Sequence, residues 1–356
     1  MKEAIIFVSG FDAQSQNYFL DNFLVPGLLT QLEDLDIKLD PEDVKIPGQT
    51  GKRFYHQLET DRKIIDIYEV YWNDLVNRLS SQDTKQKLGR GLSMIFYWIV
   101  YNWKIAKISP AFFFQTSIIL ILILLWYFGI VVLFLAAIAN QPELESSTFI
   151  QNILAPATQW ATNGFGWQVW LVISAVLTFL PLPINFIVDL IYFLTCYLRN
   201  ESIKGTPPIR ALLRNRVKQS VDNVTSEGSY DKLTVLSHSM GGLIATDFLA
   251  DYHDQQSQQL RFITWGTALE SSSTVADWLK LEIKKCLENP YVGCWDDFYS
   301  KQDWLCSKVP VIKSQSKSKL VSKHVSFKVS LFKQFSGESH MEYFFDSKVL
   351  RNLIMG

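Results

Sequence analysis

An α/β fold with a mostly parallel sheet flanked by helices, interrupted by a two-helix transmembrane hairpin, is what this sequence predicts. Two observations carry that expectation. Apolar runs of strand length alternate with helical patterns in both outer thirds of the chain. Between them lie two long stretches almost free of charge.

The expected strands are 4–8, 64–70, 233–236, 262–265, 291–299 and 325–331. The expected helices are 17–35, 208–224, 240–252, 272–287 and 347–354. Right-handed crossovers between parallel strands gather the strand C-terminal ends at one edge, where sites form. The chain starts directly on the strand-like run Ala4-Ile-Ile-Phe-Val, too short for the apolar region of a signal peptide. Residues 314–323, alternating Ser and Lys, read as a mobile loop.

The first charge-free stretch lies between Lys107 and Glu143, and 112–139 within it is almost wholly apolar. About 20 such residues cross the hydrocarbon core of a bilayer. The second begins near 165 and meets Pro181 and Pro183, which break or kink a helix. A span over about 165–184, then an interfacial amphipathic helix over about 185–198, is the favoured reading. A single kinked span holding Asp189 inside the membrane is the alternative.

Lys85, Lys87, Arg90, Lys104 and Lys107 precede the hairpin, and Arg199, Lys204, Arg210, Arg214, Arg216 and Lys218 follow it. The connector carries only Glu143 and Glu145. The bias of basic residues places both termini and the folded domain in the cytoplasm. The second basic group also offers contacts to anionic headgroups, although a positive-inside bias and a solvated helix face explain it as well. The division expected is 1–90 and 206–356 as two parts of one domain, with 91–205 as the membrane insertion.

Composition narrows the functional classes. A formal net charge of −1 gives no overall electrostatic case for nucleic acid. Cys196, Cys286, Cys294 and Cys306 form no CxxC pair, and no metal-ligand spacing, dinucleotide fingerprint or P-loop is present. No cofactor or metal is expected.

The chemistry sits in Leu233-Thr-Val-Leu-Ser-His-Ser-Met-Gly-Gly, a strand, a sharp turn and a helix start. It resembles the nucleophile elbow of the α/β-hydrolase superfamily, lipases among them, whose usual pattern is Gly-x-Ser-x-Gly. Here Ser237 stands for the first Gly, followed by His238, Ser239, Met240 and Gly241. The turn demands small neighbours, and Ser is small enough. The resemblance implies Ser239 as nucleophile and the Met240 N–H as one oxyanion donor. The family places a second donor after a His-Gly pair at the end of the first strand. This chain has Ser9-Gly10 there, so Phe11 takes that role by resemblance.

The family order is Ser, acid, His. His56, His238 and His253 fail by order or place, which leaves His324, opening the last expected strand, and His340, in a loop leading to a helix. His340, with an aromatic run behind it, resembles the family's base. Asp296, Asp297 and Asp303 lie near the end of the penultimate strand. Asp303 fits a short turn after that strand, with Asp297 the runner-up. The run Phe262-Ile-Thr-Trp-Gly-Thr resembles a lipase strand and turn whose Gly shapes the pocket wall.

The function implied is a membrane-anchored serine hydrolase cleaving acyl esters of membrane lipids. The alternatives are a thioesterase for acylated membrane proteins and a non-catalytic membrane interaction protein. Ser9 and Ser237, both departures from the family, keep the last one open. The partners expected are membrane lipid or acylated substrate and the bilayer. The oligomeric state is left open.

Overall fold

Strand β1, Lys2–Val8, sits at the centre of the sheet, and Ala4 through Val8 are fully buried. Burial of both faces is why its sequence is a continuous apolar run rather than an alternating one. Ala4, Ile6 and Val8 face one core, and Ile5 and Phe7 face the other. The structure is a computed structural model. It describes residues 1–11, 14–40, 42–57, 62–80, 103–139, 184–202, 206–227, 229–253, 259–312 and 319–356, with a few single positions between 89 and 168.

After β1 the chain forms a π-type turn at Leu20–Leu24, helix α1 at Val25–Gln31 and a short 3-10 turn at Glu33–Leu35. The helix expected over 17–35 is therefore broken into three pieces. Strands β2 (Ile37–Leu39), β3 (Val44–Ile46), β4 (Gln49–Gln57) and β5 (Arg62–Glu69) follow, then helix α2, Asn73–Ser80. Only β5 was expected. β4 carries Lys52, Arg53 and His56, and its polarity hides it. Arg53 finds its partner across the ladder, with both guanidinium contacts to Asp66 at 2.7 and 2.8 Å.

Helix α3, Pro110–Ala139, and helix α4, Ile184–Arg199, come next. Helix α5 (Ile209–Glu227), β6 (Lys232–His238), helix α6 (Gly241–Leu249) and β7 (Leu260–Trp265) continue the alternation. Helices α7 (Leu269–Val275) and α8 (Asp277–Glu288) lead to β8 (Val292–Tyr299) and β9 (Leu320–His324). Helix α9 (Leu331–Ser336), a 3-10 segment (Glu338–Phe345) and helix α10 (Ser347–Met355) complete the chain.

The described strands form one sheet in the order β2-β4-β5-β1-β6-β7-β8-β9, with β3 also on β4. From β5 to β9 every pairing is parallel, and β2, β3 and β4 add an antiparallel edge. The mostly parallel sheet covered on both faces is thus present. The last strand is displaced: β9 ends at His324, and 325–331 is not a strand. Val325 and Phe327 are still buried, so the segment shows alternating inward side chains with no ladder beneath them.

The expected first span falls on α3. Among the described residues it is the one helix long and apolar enough to cross a membrane, by length and composition alone. Phe114, Ile121, Leu124 and Val131 are exposed along it. Its first turns rest on the folded domain: Gln115 Nε2 donates to the Phe335 carbonyl at 3.2 Å, and Phe114 lies 6.0 Å from Trp304. The expected second span, about 165–184, lies outside the described residues apart from Gln168 and Ile184. The two-helix hairpin is therefore without support as a pair.

Residues 185–198 are helical, but the end of α4 is not laid on an interface. Phe193, Cys196 and Tyr197 are fully buried in the core with β1 and α6. Phe193 stacks on Trp72 at 5.7 Å, and the Trp278 Nε1–H donates to the Leu198 carbonyl at 2.7 Å. Lifting this turn onto a membrane would break the Trp278 bond and uncover Trp72 and the core beneath it. The domain core therefore reaches upstream of 206. Asp189, one turn earlier, is also buried.

The basic group after the hairpin is largely engaged with the domain. Arg210 holds Asp247 with bonds of 2.6 and 2.9 Å. Arg214 holds Asp251 at 2.7 Å, and Arg216 holds Asp74 at 2.9 Å. A solvated, ion-paired helix face is the reading these contacts favour over headgroup binding.

Candidate active site

The tight turn between β6 and α6 is where the local sequence dictates geometry. Ser239 has φ 57°, in the left-handed region that side-chain-bearing residues avoid. Its N–H donates to the Trp265 carbonyl at 3.0 Å, and its carbonyl accepts from Gly242 at 3.1 Å. The turn is affordable only because its neighbours are small. A Cβ on Gly241 would run into the Val8 carbonyl oxygen, and one on Gly242 into Thr267 Cγ2. Ser237 stands where the usual pattern has Gly, and it fits: fully buried, its hydroxyl donates to the Ile263 carbonyl at 3.3 Å.

Gly10 follows β1 and packs on the elbow, and a Cβ there would come within 3.0 Å of Ser239 Cβ and 3.4 Å of its hydroxyl. The β1 turn therefore runs directly beside Ser239. Phe11 is next in the chain, its ring 5.6 Å from Phe193. Met240 is the N-cap of α6. Backbone N–H groups in a helix's first turn have no intrahelical acceptor, and they favour negative charge. The two segments expected to supply oxyanion donors thus flank Ser239.

Asp303 and His340 are brought together from turns 37 residues apart. His340 Nδ1 lies 2.7 Å from Asp303 Oδ2, and both residues are buried. The other oxygen, Oδ1, accepts from the Leu305 N–H at 3.1 Å. A carboxylate only accepts, so Nδ1 carries the imidazole proton and Nε2 presents a lone pair. That Nε2 is buried and has no hydrogen-bond partner among the described residues. His340 lies in the 3-10 segment, after Gly337, whose φ of 84° closes helix α9.

Gly266 leaves room for this pair. It has φ 54°, and a Cβ there would stand 3.0 Å from Asp303 Oδ2 and 2.6 Å from the Tyr343 ring. The expected pocket-wall Gly is therefore a neighbour of the acid itself. Tyr343 was not singled out in the sequence. It is fully buried, and its hydroxyl lies 3.2 Å from the Cys306 thiol, so it braces the acid turn against the base segment. Its place three residues after His340 was the available signal.

The competing acids and bases are used elsewhere. Asp297 is fully buried and accepts from Thr264 Oγ1, the Val309 N–H and Ser322 Oγ. Those bonds tie β7, β9 and the loop after the acid turn to β8. Asp296 pairs with Arg261 and Lys323 at 2.7 and 2.6 Å. His324 ends β9 with its ring 5.4 Å from Tyr299. Among the described residues no group of three His, Cys, Asp or Glu could hold a metal.

Burial pushes Asp297 up to about 6, against hydrogen bonds that lower it. Its folded value lies above its unfolded one, so folding favours the protonated form. That contribution is complete below about pH 4 and is lost as pH rises through about 6. A shift from 3.8 to about 6 is worth about 3 kcal/mol. Asp297→Asn is therefore expected to gain up to that much relative to wild type between pH 4 and 7. Denaturant melts of both proteins across that range check it, and parallel pH profiles would contradict it.

Residues 209–335 match the family model described as serine aminopeptidase, S33. The match supports a serine hydrolase of the α/β-hydrolase type. It runs from α5 into α9, so it contains Ser239 and Asp303 and stops short of His340. No curated protein and no solved structure matches the chain. The mostly parallel sheet and its flanking helices agree with that type independently.

Proposed function

We propose that the chain is a membrane-anchored serine hydrolase that cleaves acyl esters of membrane lipids through an acyl-enzyme. The observation that supports it most is the arrangement of three groups at one sheet edge. Ser239 stands on a strained turn, Asp303 bonds His340 Nδ1, and His340 Nε2 has no hydrogen-bond partner among the described residues, Ser239 included. Weak nucleophiles such as serine need this kind of oriented base.

In the proposed reaction the Ser239 hydroxyl attacks the ester carbonyl while His340 Nε2 takes its proton. The Phe11 and Met240 N–H groups stabilise the oxyanion. Collapse breaks the ester C–O bond, and the imidazolium returns the proton to the leaving alcohol. Water, deprotonated by His340, then releases the acid and restores Ser239. Asp303 holds the imidazole in its tautomer throughout.

The lipid substrate is favoured by placement. The first turns of α3 touch Trp304, which follows Asp303, and Phe335 in α9, five residues before His340. If α3 enters a bilayer, both loops of the pair lie beside it. A second span over 165–184 and cytoplasmic termini, read from the basic residues, belong to the same proposal. The serine aminopeptidase family model that residues 209–335 match favours a second reading, hydrolysis of an amide at a peptide N-terminus, which the same three groups would serve.

Purified protein in phosphatidylcholine vesicles is expected to release fatty acid, and Ser239→Ala to release none above background. Fluorogenic aminoacyl amides form the comparison. Turnover of amides without ester hydrolysis would replace the lipid reading with the peptidase one. No turnover of either class would end both.

A further inference from the structure

We infer that His238 is a positioning residue, whose imidazole pins the base segment to the nucleophile elbow through a hydrogen bond to the His340 backbone carbonyl. This deepens the proposed function and rests on His340 acting as the base.

His238 is the last residue of β6 and directly precedes Ser239. Its side chain is not inert packing. The His238 Nε2 lies 2.9 Å from the His340 carbonyl oxygen. A carbonyl only accepts, so Nε2 carries the proton and Nδ1 is a bare lone pair. The ring is 1% exposed, with its centroid 4.5 Å from that of His340 and 4.8 Å from that of Phe344.

The other edge of the ring faces the β1 turn. A Cβ on Gly10 would stand 3.4 Å from His238 Nδ1, and that nitrogen is buried with no hydrogen-bond partner among the described residues. One ring therefore spans three segments: the elbow it belongs to, the turn leading to Phe11, and the segment carrying His340. Stability alone would favour an apolar residue here, because an unpartnered buried nitrogen is costly. A single donor to the His340 carbonyl is what an apolar residue cannot supply.

Burial, with His340 beside it, holds the His238 imidazole well below its ordinary range. It stays neutral, so the Nε2–H donor persists, and no positive charge meets the imidazolium that forms on His340 in turnover.

The experiment uses the full chain with His238→Leu and His238→Gln. Leucine keeps much of the volume but has no donor, while the glutamine amide can reach the carbonyl. The first readout is inactivation by a fluorophosphonate, resolved into its maximal rate and its half-saturating concentration. The second, independent of activity, is the strongly deshielded proton NMR signal of His340 Nδ1–H on Asp303, assigned by its loss in His340→Gln. A misplaced base slows chemistry without weakening binding, so His238→Leu is expected to lose about tenfold or more in maximal rate. Its half-saturating concentration should be unchanged, and its NMR signal broadened or lost. His238→Gln should hold both close to wild type. If His238→Leu does not fold, His238→Asn, whose amide stops short of the carbonyl, is expected to behave as described for it.

The inference is overturned if the leucine variant matches wild type in both readouts, or if glutamine does as much damage as leucine. The two claims separate cleanly. Wild type that never reacts, with the NMR signal responding as described, rejects the catalytic reading and keeps the pin. Wild type that reacts, with a signal indifferent to His238, rejects the pin and keeps the catalytic reading.

Discussion

Asp303→Asn is expected to lower kcat by about 10³–10⁴-fold while leaving the fold intact. The side chains are nearly the same size, and Asn can keep the bond from the Leu305 N–H through its oxygen. Its other group then becomes an NH₂ facing His340 Nδ1. Two donors cannot share that contact, so the imidazole moves its proton to Nε2 and loses the lone pair that would accept from Ser239. Pre-steady-state ester hydrolysis at neutral pH, with thermal melts of both proteins, checks this. A variant with unchanged kcat would mean that Asp303 orients nothing. A collapsed melting temperature would mean that its role is to hold the turn after β8.

The second large effect is structural. Gly241→Ala is expected to destabilise the protein by about 3 kcal/mol or more, beyond ordinary overpacking. The added methyl would meet the carbonyl oxygens of Val8 and Ser9, which are backbone and cannot swing away like a side chain. Helix α6 must then back off β1, and the elbow between them opens. Both a lowered denaturant midpoint and loss of the Ser239 reaction are expected. Gly89→Ala is the control, since a Cβ there meets nothing within 4 Å. Equal stability of the two variants would contradict the close approach of α6 to β1.

How much of this was legible in the chain depended on how local the cause was. The elbow could be read because its cause spans five residues: Ser239 needs small neighbours, and Ser237 and Gly241 supply them. The central strands could be read because burial on both faces makes them continuously apolar. Asp303 and His340 came from their order along the chain and their resemblance to a family pattern, and the 2.7 Å contact between them is consistent with that order.

The misreadings have the opposite origin. β4 is not legible in the sequence, because Arg53 and His56 look like loop residues until Asp66 stands opposite Arg53. The sequence points to a last strand at 325–331 because Val325, Phe327 and Val329 alternate with polar residues. The real strand, Leu320–His324, is an edge with little burial, so its sequence carries almost no pattern. Residues 185–198 have an apolar face, and periodicity cannot say whether lipid or Trp72 and Trp278 cover it. By its place beside the nucleophile, the sequence excludes His238 as the base. It holds no sign that the His340 segment packs against the His238 ring.

The central claim is that Ser239 is an activated nucleophile, and covalent labelling tests it most directly. Folded full-length protein is treated with a fluorophosphonate, and the adduct is located by peptide mass mapping. The predicted result is one phosphonyl group on Ser239 in wild type and none in Ser239→Ala. Folded wild type that stays unlabelled, or a Ser239→Ala variant that labels equally, would contradict the account.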